Sequence, residues 1–233
     1  MQSVPLSTPQ AQIRVNQFIR SVYNWMGGGL ALTGIIAYFV SNSPQILEFL
    51  FVNQFVLFGL LIAELAIVFT LSARIGKMQA STATAMFLVY AGLNGLTLAP
   101  IFLIYTRSSI VSTFFVCAAT FGAASLFGMS TKRDLTSMGN FMFMGLIGII
   151  IATLVNFFIR SSAMTMVISY IGVIVFVGLT AYDTQYIKSM ALSQPAEVDS
   201  GMVRKGAIFG ALKLYLDFIN LFLMLLRILG NRE

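Results

Sequence analysis

Long apolar runs separated by short polar links dominate the chain. Seven of them span residues 22–40, 51–71, 84–105, 110–129, 141–159, 164–182 and 207–229. Each is close to the roughly 20 apolar residues that a helix needs to cross a hydrocarbon core. The links at 106–109 and 160–163 are four residues each, short enough to force antiparallel hairpins. The longest link, 183–206, holds Pro195, Glu197 and Asp199 and reads as a mobile polar loop. The pattern predicts an all-α, polytopic membrane protein, a bundle of seven transmembrane helices. Residues 1–21 read as a flexible cytoplasmic tail, 22–229 as the membrane domain and 230–233 as a C-terminal tail.

Composition supports the membrane reading and removes others. Hydrophobic residues make up 58% of the chain and charged residues 9%, against about 25% charged in a soluble domain. The net charge of +6 comes from 14 basic residues scattered in ones and twos. A nucleic-acid surface would gather them into a patch, so no nucleic-acid partner is expected. Their distribution does fit membrane topology. With the N-terminus cytoplasmic, Arg14, Arg20, Arg74, Lys77, Lys132, Arg133, Lys188, Arg204 and Lys205 lie inside, and Arg107, Arg160 and Arg232 outside. Seven crossings then put the C-terminus outside. Residues 1–11 are polar and uncharged, and the first apolar run is too long for a signal-peptide core, so it is expected to stay in place. Cys117 is the sole cysteine, which excludes an intramolecular disulfide.

Charges inside the runs need a reason, because one at the bilayer centre costs about 2.5–3.5 kcal/mol on insertion scales. Glu64 lies in the middle of the second run with no basic residue one turn away. It is either protonated or paired across helices. In the last run, Lys213, Asp217 and Asn220 fall at i, i+4 and i+7, and Arg227 continues the same face. Such a stripe belongs against other helices or along a water path. The plainer reading is that Lys213 and Asp217 neutralise each other within one turn. Asp183 ends the sixth run, and its position alone reads as a solvated carboxylate at the cytoplasmic edge. Arg74 closes the second run on the same side, where an interfacial arginine that sets topology is the plainer reading.

The chain has no histidine, which removes Ser-His-Asp and Cys-His catalysis and every His-bearing zinc motif. Cys117, beside Ala118 and Ala119, reads as a buried thiol with no activating partner. Two aspartates on consecutive membrane helices would suit an intramembrane aspartyl protease. Its Gly-x-Gly-Asp and Pro-Ala-Leu elements are missing, so that alternative ranks last and no enzyme is expected.

The C-terminal third resembles the Bax inhibitor-1 family, also called the transmembrane Bax-inhibitor-motif family. The resemblance is carried by Gly178-Leu-Thr-Ala-Tyr-Asp183-Thr-Gln185, by Ala211-Leu-Lys-Leu-Tyr-Leu-Asp217-Phe-Ile-Asn220-Leu-Phe222, and by the Leu225-Leu-Arg227 ending. Val22-Tyr-Asn-Trp25-Met and the seven-run layout agree with it, most closely with bacterial inner-membrane members. It implies a bundle whose last helix is central, and a slow, pH-sensitive calcium leak governed by Asp183 and Asp217. It also implies a latch onto that pair from an arginine of segment two, for which Arg74 is the candidate; on physical grounds Lys213 is a further charge partner. Glu64, Asn220 and Arg227 are secondary candidates. Calcium would bind the two aspartates weakly and in transit, with no resident cofactor. The expected partners are the lipid bilayer and calcium or protons. The alternative is a non-transport regulator that binds a membrane protease, as some bacterial relatives do. Asp183 and Asp217 are expected to face each other across segments six and seven, which requires segment six to run on towards Met190.

Overall fold

A computed structural model of the chain describes residues 9–193 and 199–232. Its helices are α1 (Pro9–Ser41), α2 (Pro44–Phe51), α3 (Gln54–Arg74), α4 (Ala80–Leu98), α5 (Ile101–Ile104), α6 (Arg107–Ser130), α7 (Thr136–Ile159), α8 (Ser162–Leu192) and α9 (Ser200–Leu229). Six stretches are long and apolar enough to cross a membrane: Gln54–Lys77, Ala80–Ile104, Arg107–Ser130, Thr136–Ile159, Ser162–Leu192 and Ser200–Leu229. A seventh is added if α1 and α2, bent by 101° at their junction, count as one span. The protein is thus an all-α polytopic membrane protein.

The breaks have local causes. Ser43 is extended (φ −121°, ψ 92°) ahead of Pro44, as a residue before proline prefers, and Pro44 then opens α2. Leu50 of α2 packs with Val40 and Ala99 in a small apolar cluster. The α7–α8 hairpin turns at Arg160, whose φ of 57° is left-handed. Asn156 Oδ1 accepts from Ser161 N at 3.0 Å and its Nδ2 donates to Thr165 Oγ1 at 2.8 Å, fixing that turn.

Several expected boundaries are corrected. Residues 9–21, assigned to a tail, are helical in α1; residues 1–8 lie outside the described residues. Helix α8 runs ten residues beyond Tyr182, and α9 begins at Ser200 rather than 207. The expected long polar loop thus loses residues 183–192 and 200–206 to helices, and its Pro195 and Glu197 lie outside the described residues. The tail at 230–233 is tied down as far as it is described. Tyr105 and Arg232 form an antiparallel bridge, Thr106 N donates to Asn231 O at 3.1 Å, and Asn231 N donates to Ser109 Oγ at 3.0 Å.

The chain divides into two compact units. One comprises residues 1–104 and 190–215, the other residues 105–189 and 216–233. Helix α9 contributes to both, and its apolar window is 67% buried against 6% for α3 and α7. In the first unit it buries Ala207, Ile208, Ala211, Leu212, Leu214 and Tyr215; in the second, Phe218, Leu221, Phe222 and Leu226. Its 30 residues reach about 45 Å at 1.5 Å per residue, more than a hydrocarbon core requires.

Candidate functional site

The second unit holds both aspartates. Asp183 on α8 is 6% exposed and Asp217 on α9 is 5% exposed. The expected solvated position of Asp183 is overturned: it stands nine residues before Leu192, inside a continuous helix. Hydropathy marked the apolar run as ending there because Asp183, Thr184, Gln185 and Lys188 are polar, yet each polar side chain in this turn has somewhere to go.

Close helix approach makes the burial of Asp183 geometrically possible. A Cβ added to Gly128 of α6 would strike the carbonyl of Ala181, and one added to Gly139 of α7 would enter the Tyr182 ring. The two residues preceding Asp183 are thus gripped by glycines from two helices. Thr184 Oγ1 donates to Ser125 Oγ of α6 at 3.3 Å. Gln185 bridges the α6–α7 turn, its Oε1 accepting from Leu135 N at 2.8 Å and its Nε2 donating to Arg133 O at 2.8 Å. Lys188 Nζ donates to Met129 O at the end of α6. On α9, Phe218 stacks edge-on with Phe121 and Phe114 at 5.4 and 5.6 Å, and Cys117 Sγ donates weakly to its carbonyl at 3.7 Å. Cys117 is buried, as its sequence context indicated.

The polar stripe on α9 is only partly what its spacing promised. Asp217 is buried, while Lys213, Asn220 and Arg227 are half-buried. Lys213 Nζ lies 5.9 Å from the Phe209 ring centroid. Asn220 Nδ2 turns back to Leu216 O at 2.8 Å, and Arg227 reaches Met224 Sδ at 4.0 Å. The Asn220 amide is thus engaged by its own helix.

Glu64 and Arg74 belong to the first unit. Glu64 is hydrogen-bonded across helices: Thr97 Oγ1 of α4 donates to its Oε1 at 2.9 Å. Around it, Asn94 Nδ2 donates to Tyr90 OH at 3.1 Å, Tyr90 meets Tyr215 edge-on at 5.7 Å, and the Tyr215 hydroxyl shares a 2.7 Å hydrogen bond with Thr33 Oγ1. Sequence reasoning missed Thr33, Tyr90, Asn94 and Thr97, although polar positions within apolar runs were the available signal. Arg74 is exposed at the end of α3. Among the described residues no group of three or more Cys, Asp or Glu side chains is placed to hold a metal ion.

Comparison with known proteins places the architecture. The family described as inhibitor of apoptosis-promoting Bax1 matches residues 15–233. The inner membrane protein YbhL of Escherichia coli K12 is 53% identical over 227 residues, 97% of each chain. An uncharacterized protein of Rickettsia prowazekii is 47% identical over 222 residues, covering 94% of this chain and 91% of its own. One from Borreliella burgdorferi is 44% identical over 218 residues, 94% and 93% of the two chains. With its apolar helices and motif-bearing α8 and α9, the chain belongs to the Bax inhibitor-1 family.

Proposed function

We propose that this protein is a pH-sensitive cation leak of the bacterial inner membrane, with calcium the ion carried and Asp183 and Asp217 its titrating gate. The observation that carries the reading is the burial of two carboxylates, 6% and 5% exposed, on neighbouring span helices of one compact unit. Isolated carboxylates at such positions are costly, and intramembrane acids mark ion or proton paths. Two carboxylates close enough to share a proton would titrate as a unit. Ionisation therefore turns the pair from neutral to negative and attractive to a passing cation, and protonation removes that attraction. Placement in the inner membrane follows the E. coli relative's name, and a cytoplasmic N-terminus follows the basic-residue distribution.

The test is calcium uptake into proteoliposomes containing the purified protein, across pH. Asp217→Asn should insert normally yet alter the flux and flatten its pH dependence. Identical flux and pH profile in the Asp217→Asn protein would overturn the gate.

A further inference from the structure

The first unit carries a cleft that the proposed leak does not use. It has a volume of about 630 Å³, lies at the end of α3 and is lined by Thr70, Ala73, Arg74, Lys77 and Met78. Arg74 and Lys77 are both exposed. Among the described residues neither makes a hydrogen bond or an ion pair. A third cation adjoins them: Lys205 Nζ donates to Gly76 O at 3.1 Å, within the 3-10 turn that links the two residues. Arg204 beside it is held by Thr84 Oγ1 at 3.1 Å and lies 5.5 Å from the Trp25 ring centroid.

The walls leading to this cleft are apolar. Phe58, Ile62, Leu65 and Phe69 of α3 recur at i, i+4, i+7 and i+11 and are each more than half exposed. That spacing forms one helical stripe, and Ala73, four residues on, carries it into the cleft. Hydrocarbon surface running up to cations that have no partner among the described residues matches an amphiphile with a negative head.

We propose that the end of α3 binds an anionic phospholipid, its phosphate on Arg74 and Lys77 and its acyl chain along Phe69, Leu65, Ile62 and Phe58. Arg74 supplies a forked donor suited to a phosphate, and Lys77 a point charge. Basic pockets at the membrane surface of helical proteins bind such headgroups. The assignment does not rest on the leak reading, because its readout is bound lipid and not flux.

The experiment is native mass spectrometry of the full chain released from nanodiscs with equal phosphatidylglycerol and phosphatidylcholine. The wild type should retain phosphatidylglycerol preferentially, and less so as ionic strength rises. Arg74→Gln/Lys77→Gln should lower that preference by about fivefold per charge, about 25-fold in all. Lys132→Gln/Arg133→Gln, the same charge change outside the cleft, should preserve it. So should the charge-conserving Arg74→Lys/Lys77→Arg, which keeps the test valid if the double Gln protein fails to fold. Equal retention of both lipids, a salt-insensitive preference, or equal loss in the two Gln doubles would overturn the assignment. Displacement of the lipid by inorganic phosphate would overturn it too, as the site would then serve the free anion.

Discussion

A carboxylate at the end of an apolar run is ordinarily hydrated, and the polar neighbours of Asp183 favoured that picture. Its actual burial depends on side chains far away in sequence, Gly128, Gly139, Ser125 and the backbone of Leu135, which no local pattern announces. If Asp183 and Asp217 act as one titrating pair, their substitutions must be non-additive. Asp183→Asn and Asp217→Asn should each flatten the pH dependence of flux, and the double variant should do no more than either; additive effects would refute the pairing. An exposed carboxylate behaves differently. Asp134 Oδ1 accepts from Thr136 N at 2.9 Å and Thr136 Oγ1 at 2.6 Å, and these bonds hold its carboxyl below the usual value of 3.8. A lowered folded-state value means that the stabilisation is complete above 3.8 and fades as pH falls through the folded value. The difference in melting midpoint between wild type and Asp134→Asn should be constant near neutrality and vanish at strongly acid pH. A difference that grows on acidification would reverse the assignment.

Among the helices, those bounded by clear apolar runs, such as α6 and α7, were legible to within a few residues. The misread ends were those of α8 and α9, where the helix continues past the apolar run. Hydropathy reports what faces lipid, whereas a helix continues as long as its polar side chains find partners; Gln185 and Lys188 do so on the α6–α7 turn and the end of α6. The α1–α2 bend escaped notice because the polar stretch Ser41-Asn42-Ser43 before Pro44 reads equally as a loop. Glycine spacing was weak evidence in the sequence, but the structure separates glycines that matter from those that do not. Gly128 meets the Ala181 backbone, while Gly122 in the same helix has nothing within 4 Å of an added Cβ. Gly128→Ala should therefore cost about 1–3 kcal/mol through overpacking. Gly122→Ala should be neutral or gain up to about 1 kcal/mol in helix propensity. Melting of the two proteins in one detergent checks both, and equal midpoints would contradict the close-approach reading.

At the scale of the whole chain, the question is how many times it crosses. The polar residues of the last run left open a re-entrant segment, and two contacts argue against it. Lys205 at the start of α9 reaches Gly76 in the α3–α4 turn, and Arg232 just after α9 bridges Tyr105 at the start of α6. Between those two turns the chain runs through the single apolar stretch Ala80–Ile104, long enough to cross a membrane once. Parity agrees: four spans separate Gly76 from Lys205, and four separate Tyr105 from Arg232, each an even number that returns the chain to its starting side. The basic residues, nine against three in the links, lead us to expect a cytoplasmic N-terminus. Because Cys117 is buried, single cysteines can be introduced without removing it. Lys132→Cys and Ser193→Cys should be labelled by a membrane-impermeant maleimide only in inside-out vesicles, and Asn231→Cys only in intact spheroplasts. Labelling of residues 193 and 231 from the same side would make α9 re-entrant, and labelling of all three from the reverse sides would invert the protein.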